Sequence, residues 1–268
     1  MSFFSLPKKS LGQNFLIDKN IVHKITKIGN INRDKVILEI GPGYGTLTDS
    51  LISRFPKKIF AIEKDSNLVT FLTKKFEGQQ NIKIINQDVL ELVNTNIFGK
   101  NVIVFGNLPY NISTKILASL ILLEKWPPWY EKLIFMFQKE VAERIIAKSR
   151  TKEFSRLSVL SNWRLKVKKH FDISNNCFFP KPKVTSTLLS FEPIKNSKFY
   201  LKNPKNLEAI SRALFQNRRK MINKSFNKLF KNNHTISKKL KINLTNRPGE
   251  LSCEMFYKIA IEYEKLFG

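Results

Sequence analysis

The chain has 268 residues, of which 47 are lysine or arginine and 21 are aspartate or glutamate, for a formal net charge of +26. Hydrophobic residues make up 42% and aromatic residues 12%, which is enough for a real core, so the charge does not indicate disorder. Two cysteines and three scattered histidines argue against disulfides and against a metal site, and no segment reaches the roughly 18 apolar residues of a membrane helix. We therefore expect a cytoplasmic protein, without a membrane partner, that binds a polyanion.

The first two-thirds of the chain alternate short apolar segments with segments of helical periodicity. Five apolar segments are rich in β-branched residues, as are strands that are buried on both faces. These predicted strands are 35–40, 58–62, 82–85, 101–105 and 132–137, and the predicted helices are 44–55, 66–76, 113–123 and 139–148. The alternation predicts an α/β fold with a mostly parallel, doubly wound sheet.

The last third of the chain changes character. Residues 165–171 and 184–191 are predicted to be two further strands, and the Ser/Thr alternation of the second is typical of an antiparallel or edge strand. Residues 192–205 contain two prolines and form the best linker candidate. Helices are predicted at 204–216, 221–230 and 252–266, so a small all-helical domain is expected after residue 193.

The basic residues are concentrated in that last segment. Residues 212–241 contain ten lysines and arginines and no acidic residue. A lysine-rich proteome explains part of the overall excess, but a uniform bias does not segregate charge in this way. The concentration favours a surface that follows a phosphate backbone.

A glycine-rich loop follows the first predicted strand of the sheet. Gly41, Gly43 and Gly45 let the backbone turn tightly and approach a ligand closely. The spacing differs from the dinucleotide-reductase pattern, because Thr46 stands where its third glycine is expected. A plain turn between strand and helix is the alternative interpretation.

Acidic residues follow the next two strands. Glu63 ends the second strand and Asp88 follows the third, and ligands of open α/β sheets bind at the carboxyl ends of the strands. A carboxylate at the second strand can accept hydrogen bonds from ribose hydroxyls, and one at the third can accept from an adenine amino group. Either residue alone is equally well explained as a solvated acid, but their order predicts an adenosyl ligand.

The fourth strand ends in Asn107-Leu108-Pro109-Tyr110. A simple turn that closes the strand is one interpretation. However, an amide oxygen and a backbone carbonyl can accept both N–H bonds of an amino group on a flat base, and Tyr110 can stack on its ring. The motif therefore predicts a site for a nucleobase.

With these residues, the chain resembles the S-adenosylmethionine-dependent rRNA adenine N6-dimethyltransferases, above all the bacterial small-subunit branch of that family. The resemblance runs from about Lys8 to the C-terminus. It includes KSLGQNFL at 9–16, EIGPGYG at 39–45, NLPYNIS at 107–113, QKEVAER at 138–144, FFPKPKV at 178–184, FQNRRK at 215–220 and RPGELS at 247–252. It implies a class I, Rossmann-like methyltransferase domain with a seven-stranded, mostly parallel sheet at 1–193 and a helical RNA-binding domain at 194–268.

The resemblance also implies a role for individual residues. The residues implied to hold S-adenosylmethionine are Asn14, Leu16, Gly41, Gly43, Glu63, Asp88 and Asn107. Those implied to act on the target adenine are Asn107, Leu108, Pro109 and Tyr110, with Phe178 closing the other face of the base. Arg218, Arg219 and Lys220 are expected to bind RNA, although a solvated helix end also explains them.

The implied reaction is dimethylation of two adjacent adenosines in a hairpin near the 3′ end of 16S rRNA, in the small ribosomal subunit, by a monomer that needs no metal. Thr185 and Gly249 depart from the family's usual acidic residues, which puts local packing or RNA contacts in doubt rather than catalysis. The alternatives are a 23S rRNA methyltransferase of the resistance type and a non-catalytic ribosome-assembly factor. A nicotinamide dehydrogenase is disfavoured by the spacing of the glycine loop.

Overall fold

Two sheets are present in the computed structural model, which describes residues 13–95 and 97–268. A two-stranded antiparallel sheet pairs β1 (Phe15–Leu16) with β8 (Phe178–Phe179). The strands of the large sheet are β2 (Val36–Ile40), β3 (Lys58–Glu63), β4 (Ile82–Asn86), β5 (Val102–Gly106), β6 (Tyr130–Gln138), β7 (Leu165–Ile173) and β9 (Ser186–Pro193). All seven predicted strands are therefore present, whereas β1 and β8 were not predicted.

The large sheet has the strand order β4-β3-β2-β5-β6-β9-β7. Its strands pair in parallel from β4 to β6, and β9 pairs antiparallel to β6. The α/β fold with a mostly parallel seven-stranded sheet is thus confirmed. The strand order reverses between β2 and β5, and ligands of such sheets bind at this switch point, outside the carboxyl ends of the strands.

Eleven α-helices lie in the described residues. They are α1 (Lys19–Ile28), α2 (Thr46–Ile52), α3 (Ser66–Lys75), α4 (Val89–Leu92), α5 (Ser113–Ile121), α6 (Lys139–Ile146), α7 (Arg156–Arg164), α8 (Lys205–Phe215), α9 (Asn223–Leu229), α10 (Thr235–Lys239) and α11 (Cys253–Phe267). Asp18, Asp65 and Asp88 cap the N-termini of α1, α3 and α4 by accepting from backbone N–H groups. Within residues 13–95 and 97–268, no helix is long and apolar enough to cross a membrane.

The chain divides into two compact units. The first takes in the chain up to Leu120, Pro128–Ala142 and Lys168–Pro193, and the second takes in Ile121–Pro127, Glu143–Val167 and Ile194–Gly268. The last segment of the second unit begins at Ile194, and a domain boundary after residue 193 stays a prediction. The two earlier segments, Ile121–Pro127 and Glu143–Val167, were not predicted to belong to this unit. A linker in the sequence marks one domain boundary, but it does not show that earlier segments pack with the residues that follow it.

The first unit is built around the large sheet. Its apolar core includes Ile37, Ile103 and Phe105, and Leu51 packs with the same group of buried side chains. β2 and β5 are almost entirely buried, which explains why their sequences are continuous apolar runs rather than alternating ones.

The second unit has an aromatic and helical core. Phe215 stacks on Phe256 with their ring centroids 5.3 Å apart, and Phe154 lies against both rings. The buried guanidinium of Arg164 packs over the ring of Trp163 and donates hydrogen bonds to the carbonyls of Ile121 and Leu123. The Tyr257 hydroxyl donates to the Val159 carbonyl at 3.0 Å and ties α11 to α7.

Candidate active site

A cavity of about 320 Å³ lies in the first unit, at the carboxyl ends of β2 to β5. Its volume is within the range of small-molecule sites. Most of the predicted site residues line it: Asn14, Gly41, Gly43, Glu63, Asp88, Asn107, Leu108, Pro109 and Tyr110. The glycine loop, the two acids and the fourth-strand motif are therefore brought together at the predicted edge of the sheet.

The glycine loop forms one wall of the cavity. Gly43 has a φ of +58°, in the left-handed region that favours glycine, and a Cβ at this position would lie 2.5 Å from the ring of Phe15. Phe15 also lines the cavity, and its ring centroid lies 4.5 Å from that of Tyr44. Gly43 thus allows an aromatic side chain from β1 to form part of the wall.

Glu63 is held rigidly beside this loop. Its Oε1 accepts the backbone N–H groups of Lys64 and Asp65 at 2.9 and 3.0 Å, and its Oε2 accepts that of Gly43 at 3.3 Å. Because a carboxylate has about four acceptor positions, one position on Oε2 is left for a ligand hydroxyl. Burial raises the pKa of Glu63 and outweighs the three backbone hydrogen bonds, which lower it.

Asp88 presents a second carboxylate. Its Oδ1 accepts the Leu90 N–H at 3.0 Å and caps α4, and its Oδ2 lies 2.9 Å from the ammonium of Lys64. Burial acts to raise the pKa of Asp88, but the hydrogen bonds from Lys64 and Leu90 outweigh it, so this pKa lies below its ordinary value. Asp88 is therefore an ionised acceptor at neutral pH.

Asn107 is oriented by the segment that carries β1. Its Nδ2 donates to the backbone carbonyl of Asn14 at 2.7 Å. Its Oδ1 has no hydrogen-bond partner among residues 13–95 and 97–268, and the residue lines the cavity. The side chain thus offers an acceptor oxygen to whatever binds there.

Leu108 and Tyr110 complete the motif. The side chain of Leu108 is buried close to Gly106, where a Cβ would lie 2.6 Å from Leu108 Cδ2, so only the backbone of Leu108 is left for a ligand. The hydroxyl oxygen of the half-buried Tyr110 lies 2.6 Å from Ser186 Oγ, which fixes the position of the ring. Burial raises the pKa of Tyr110, so its hydroxyl stays neutral.

Two of the residues predicted for this site do not line the cavity. Leu16 and Phe178 face each other in the β1–β8 pair and are buried in the apolar core, with Phe178 only 3% exposed. The role of Phe178 at the second face of the target base stays a prediction, and its side chain is buried in this structure. Because side chains alternate along a strand, its neighbour Phe179 lies on the opposite face and is 58% exposed.

The cavity also has lining residues that were not assigned a role from the sequence. They are Gln13, Phe15, Lys64, Leu90, Asn111, Ile112 and Lys115. Four of them stand inside the motifs at 9–16 and 107–113, so the motifs signalled the segments but not the individual side chains. The sequence carries no signal for Lys115, which reaches the cavity only because α5 begins there. Residues 9–12 of the first motif lie outside the described residues.

The predicted RNA-binding residues belong to the second unit. Arg218, Arg219 and Lys220 are exposed in the loop between α8 and α9, and Arg218 donates a hydrogen bond to the carbonyl of Lys152. Their exposure agrees with a surface role, and none of the three belongs to a core.

The two residues that depart from the family pattern, Thr185 and Gly249, both accept hydrogen bonds through their backbone carbonyls. The Thr185 carbonyl accepts from the Lys139 N–H at 2.9 Å, and the Gly249 carbonyl accepts from the Arg150 N–H at 2.8 Å. A Cβ at Gly249 would meet nothing within 4 Å, so packing does not require glycine there.

The sheet, its switch-point cavity and the Asn107–Tyr110 motif define a Rossmann-like methyltransferase. The model of the ribosomal RNA adenine dimethylase family matches residues 5–265. The chain is 47% identical to the ribosomal RNA small subunit methyltransferase A of Pelagibacter ubique (strain HTCC1062) over 99% of this chain and 100% of the relative. It is 36% identical to the protein of the same name from Nitrobacter winogradskyi, over 97% of this chain and 91% of that one. The chain belongs to the ribosomal RNA adenine dimethylase family and is an rRNA adenine dimethyltransferase.

Two solved structures share the fold. A dimethyladenosine transferase from Plasmodium falciparum superposes with a TM-score of 0.75 at 27% identity, covering 94% of this chain and 98% of that one. The 23S rRNA methyltransferase ErmE superposes with a TM-score of 0.66 at 21% identity, covering 94% and 99%, and this likeness concerns the fold alone.

Proposed function

We propose that this protein transfers methyl groups from S-adenosylmethionine to the N6 atoms of two adjacent adenosines in a hairpin near the 3′ end of 16S rRNA. It acts as a monomer in the cytoplasm, on the small ribosomal subunit or its precursor. The observation that carries the proposal is the Asn107 amide, whose nitrogen is committed to the Asn14 carbonyl and whose oxygen is left for the cavity. The 47% identical relative, named for the small subunit, supports this choice of substrate.

The cavity suits the cofactor. The open acceptor position on Glu63 suits a ribose hydroxyl, and the ionised Asp88 suits the amino group of the cofactor's adenine. Gly41 has a φ of +68° and carries no side chain into the space that the methionine moiety needs. When bound, S-adenosylmethionine supplies an electrophilic methyl group on a sulfonium.

The chain's own residues make the target nitrogen reactive. The N6 lone pair of adenine is delocalised into the ring, so the amino group is a poor nucleophile. The Asn107 oxygen and the Leu108 carbonyl accept its two N–H bonds, aim the nitrogen at the methyl group and favour its pyramidal form. Orientation of this kind supplies roughly 7–11 kcal/mol in favourable systems. A strong base is not needed, because the proton becomes acidic only as the new bond forms.

The target adenine must leave its stack, which costs a few kcal/mol. Tyr110 compensates by stacking on the extruded base, and its hydrogen bond to Ser186 holds the ring in place before the base arrives. The exposed side chains of Arg218, Arg219 and Lys220 hold phosphates of the same RNA.

Two other functions use the same fold. A 23S rRNA methyltransferase has the same chemistry on a different substrate, but ErmE resembles this chain at the level of the fold only. A non-catalytic assembly factor has no need of an oriented Asn107 or of two acids around an adenosyl-sized cavity. The curated relatives, named for the small subunit at 34–47% identity, favour the proposed substrate.

The test uses purified protein, labelled S-adenosylmethionine, and small and large ribosomal subunits from cells that lack this enzyme. The label is expected in 16S rRNA alone, as dimethyladenosine at two adjacent positions. Label in 23S rRNA, or no transfer to either subunit, would overturn the proposal.

A further inference from the structure

An exposed aromatic side chain stands beside the cavity and has no part in the reaction described above. Phe179 is directly opposite Phe15 in the β1–β8 pair. Opposite residues of an antiparallel pair project from the same face of the sheet. Because Phe15 lines the cavity, Phe179 lies on the side of the small sheet that faces the reaction.

The segment that begins at Phe179 is tied to the site at both ends. Its first residue is held in register with Phe15, and it leads into Ser186, whose hydroxyl contacts Tyr110 at 2.6 Å. The segment 179–184 therefore runs from the cofactor side of the cavity towards the tyrosine that stacks on the target base. A ligand that contacts both places would lie against this segment.

The chemistry of this segment fits single-stranded RNA. Phe179, Lys181 and Lys183 are all exposed, and neither lysine forms an ion pair with a described residue. The sequence contains no acidic residue between Asp172 and Glu192. An exposed aromatic ring close in sequence to exposed cations is a combination by which proteins stack bases and follow a phosphate backbone.

A single exposed aromatic residue is ordinary on a protein surface. Phe55 is such a residue: it is 68% exposed and follows α2 at the edge of the sheet where β3 begins, which is the end opposite the cavity. Phe55 also has cations beside it, in Arg54 and Lys57, so neighbouring charge alone does not distinguish the two residues. Phe179 differs from Phe55 in its register with the cavity residue Phe15, and this difference assigns it a role in substrate binding.

We infer that Phe179 stacks on an unpaired RNA base adjacent to the target adenosine, while Lys181 and Lys183 bind the phosphates on either side. This inference rests on the proposed function, since it concerns the RNA of the same reaction. Stacking outside the cavity holds the strand in the position in which the target base enters.

The test is the initial rate of methylation of small ribosomal subunits from cells that lack this enzyme, with Phe179→Ala, Phe179→Leu and Phe179→Trp. One stacked base is worth roughly a 5- to 150-fold change in affinity. We expect Ala and Leu to raise the KM for subunits within that range and to leave the KM for S-adenosylmethionine unchanged. Trp should restore the wild-type KM, because it retains a stacking face. Phe55→Ala, the matched control, should match the wild-type protein.

The lysines are tested by the salt dependence of subunit binding. The double variant Lys181→Gln and Lys183→Gln should reduce the slope of log affinity against log salt by about 1.4, for two phosphate contacts on a single strand. A Phe179→Ala variant that behaves like Phe55→Ala, or a Leu variant with wild-type KM, would overturn the stacking role. An unchanged slope would overturn the phosphate contacts. Failure of the proposed function can be distinguished from failure of this inference, because in the former case the wild-type protein itself would not methylate small subunits.

Discussion

The side-chain nitrogen of Asn107 donates a 2.7 Å hydrogen bond to the backbone carbonyl of Asn14, a residue 93 positions earlier in the chain. This bond decides which end of the amide faces the cavity. It also couples the segment that carries β1 to the carboxyl end of β5. The same segment provides Phe15 to the cavity wall and pairs with β8, so the short β1 organises several parts of the site.

Gly43→Ala tests the close approach of Phe15 to the glycine loop. The variant forces alanine into a positive φ, which costs roughly 1–2 kcal/mol, and places a Cβ 2.5 Å from the Phe15 ring. We expect the affinity for S-adenosylmethionine, measured by calorimetry, to fall by about tenfold or more as the wall moves.

The matched control is Gly78→Ala. Gly78 also has a positive φ, of +82°, but a Cβ there meets nothing within 4 Å. This control should lose stability through backbone strain and keep its affinity for the cofactor. Equal cofactor affinities in the two variants would show that the contact with Phe15 is unimportant.

Tyr110→Phe and Tyr110→Ala separate the ring from the hydroxyl. The Phe variant loses one hydrogen bond to the buried Ser186, worth about 1 kcal/mol of unfolding free energy, and retains the stacking face. The Ala variant loses the ring and should lower the methylation rate far more, by roughly 5- to 150-fold from stacking alone. Single-turnover assays on small subunits measure both rates, and similar losses in the two variants would refute a stacking role.

Glu39 makes the stability of the first unit depend on pH. The residue is 1% exposed, accepts a 2.7 Å hydrogen bond from Thr48 and has its pKa raised to about 8, chiefly by burial. Between about pH 4.5 and 8 the Glu39 carboxyl is deprotonated in the unfolded chain but stays protonated in the folded chain. The free energy of unfolding therefore falls as pH rises through this range and levels off above about pH 8.

Glu39→Gln should remove that decrease, which is on the order of a few kcal/mol. Chemical unfolding at pH 5 and pH 9 measures the effect. The difference in unfolding free energy between the variant and the wild-type protein should shift in favour of the variant when the pH is raised from 5 to 9. Parallel pH profiles for the two proteins would contradict the raised pKa.

Arg218, Arg219 and Lys220 are predicted to hold rRNA phosphates. Replacing all three by glutamine should weaken binding to small subunits and reduce the salt slope by roughly two to three, because each phosphate contact contributes about 0.7–0.9. The affinity for S-adenosylmethionine, measured in parallel, should not change. A salt slope equal to that of the wild-type protein would remove these residues from the interface.

The sequence predicts the large sheet and the residues at its carboxyl edge because buried parallel strands are continuous apolar runs and their ends share one edge. Glu63, Asp88 and Asn107 could therefore be placed before the structure was known. The β1–β8 pair could not be predicted, since two-residue strands have no periodicity. For the same reason the sequence could not decide which of Phe178 and Phe179 is buried, and only the register with Leu16 and Phe15 settles it. The hydrogen bond between Asn107 and Asn14 is equally invisible in sequence, because it depends on a backbone carbonyl.

The most direct test of the account is Asn107→Ala, assayed with small ribosomal subunits from cells that lack this enzyme. Loss of the acceptor oxygen removes the orientation of N6, and misplacement of a reacting group by about 1 Å costs on the order of 100-fold in rate. We predict at least that loss in the rate of dimethyladenosine formation in 16S rRNA, measured with the folded variant at saturating S-adenosylmethionine. Near-normal methylation by Asn107→Ala would contradict it.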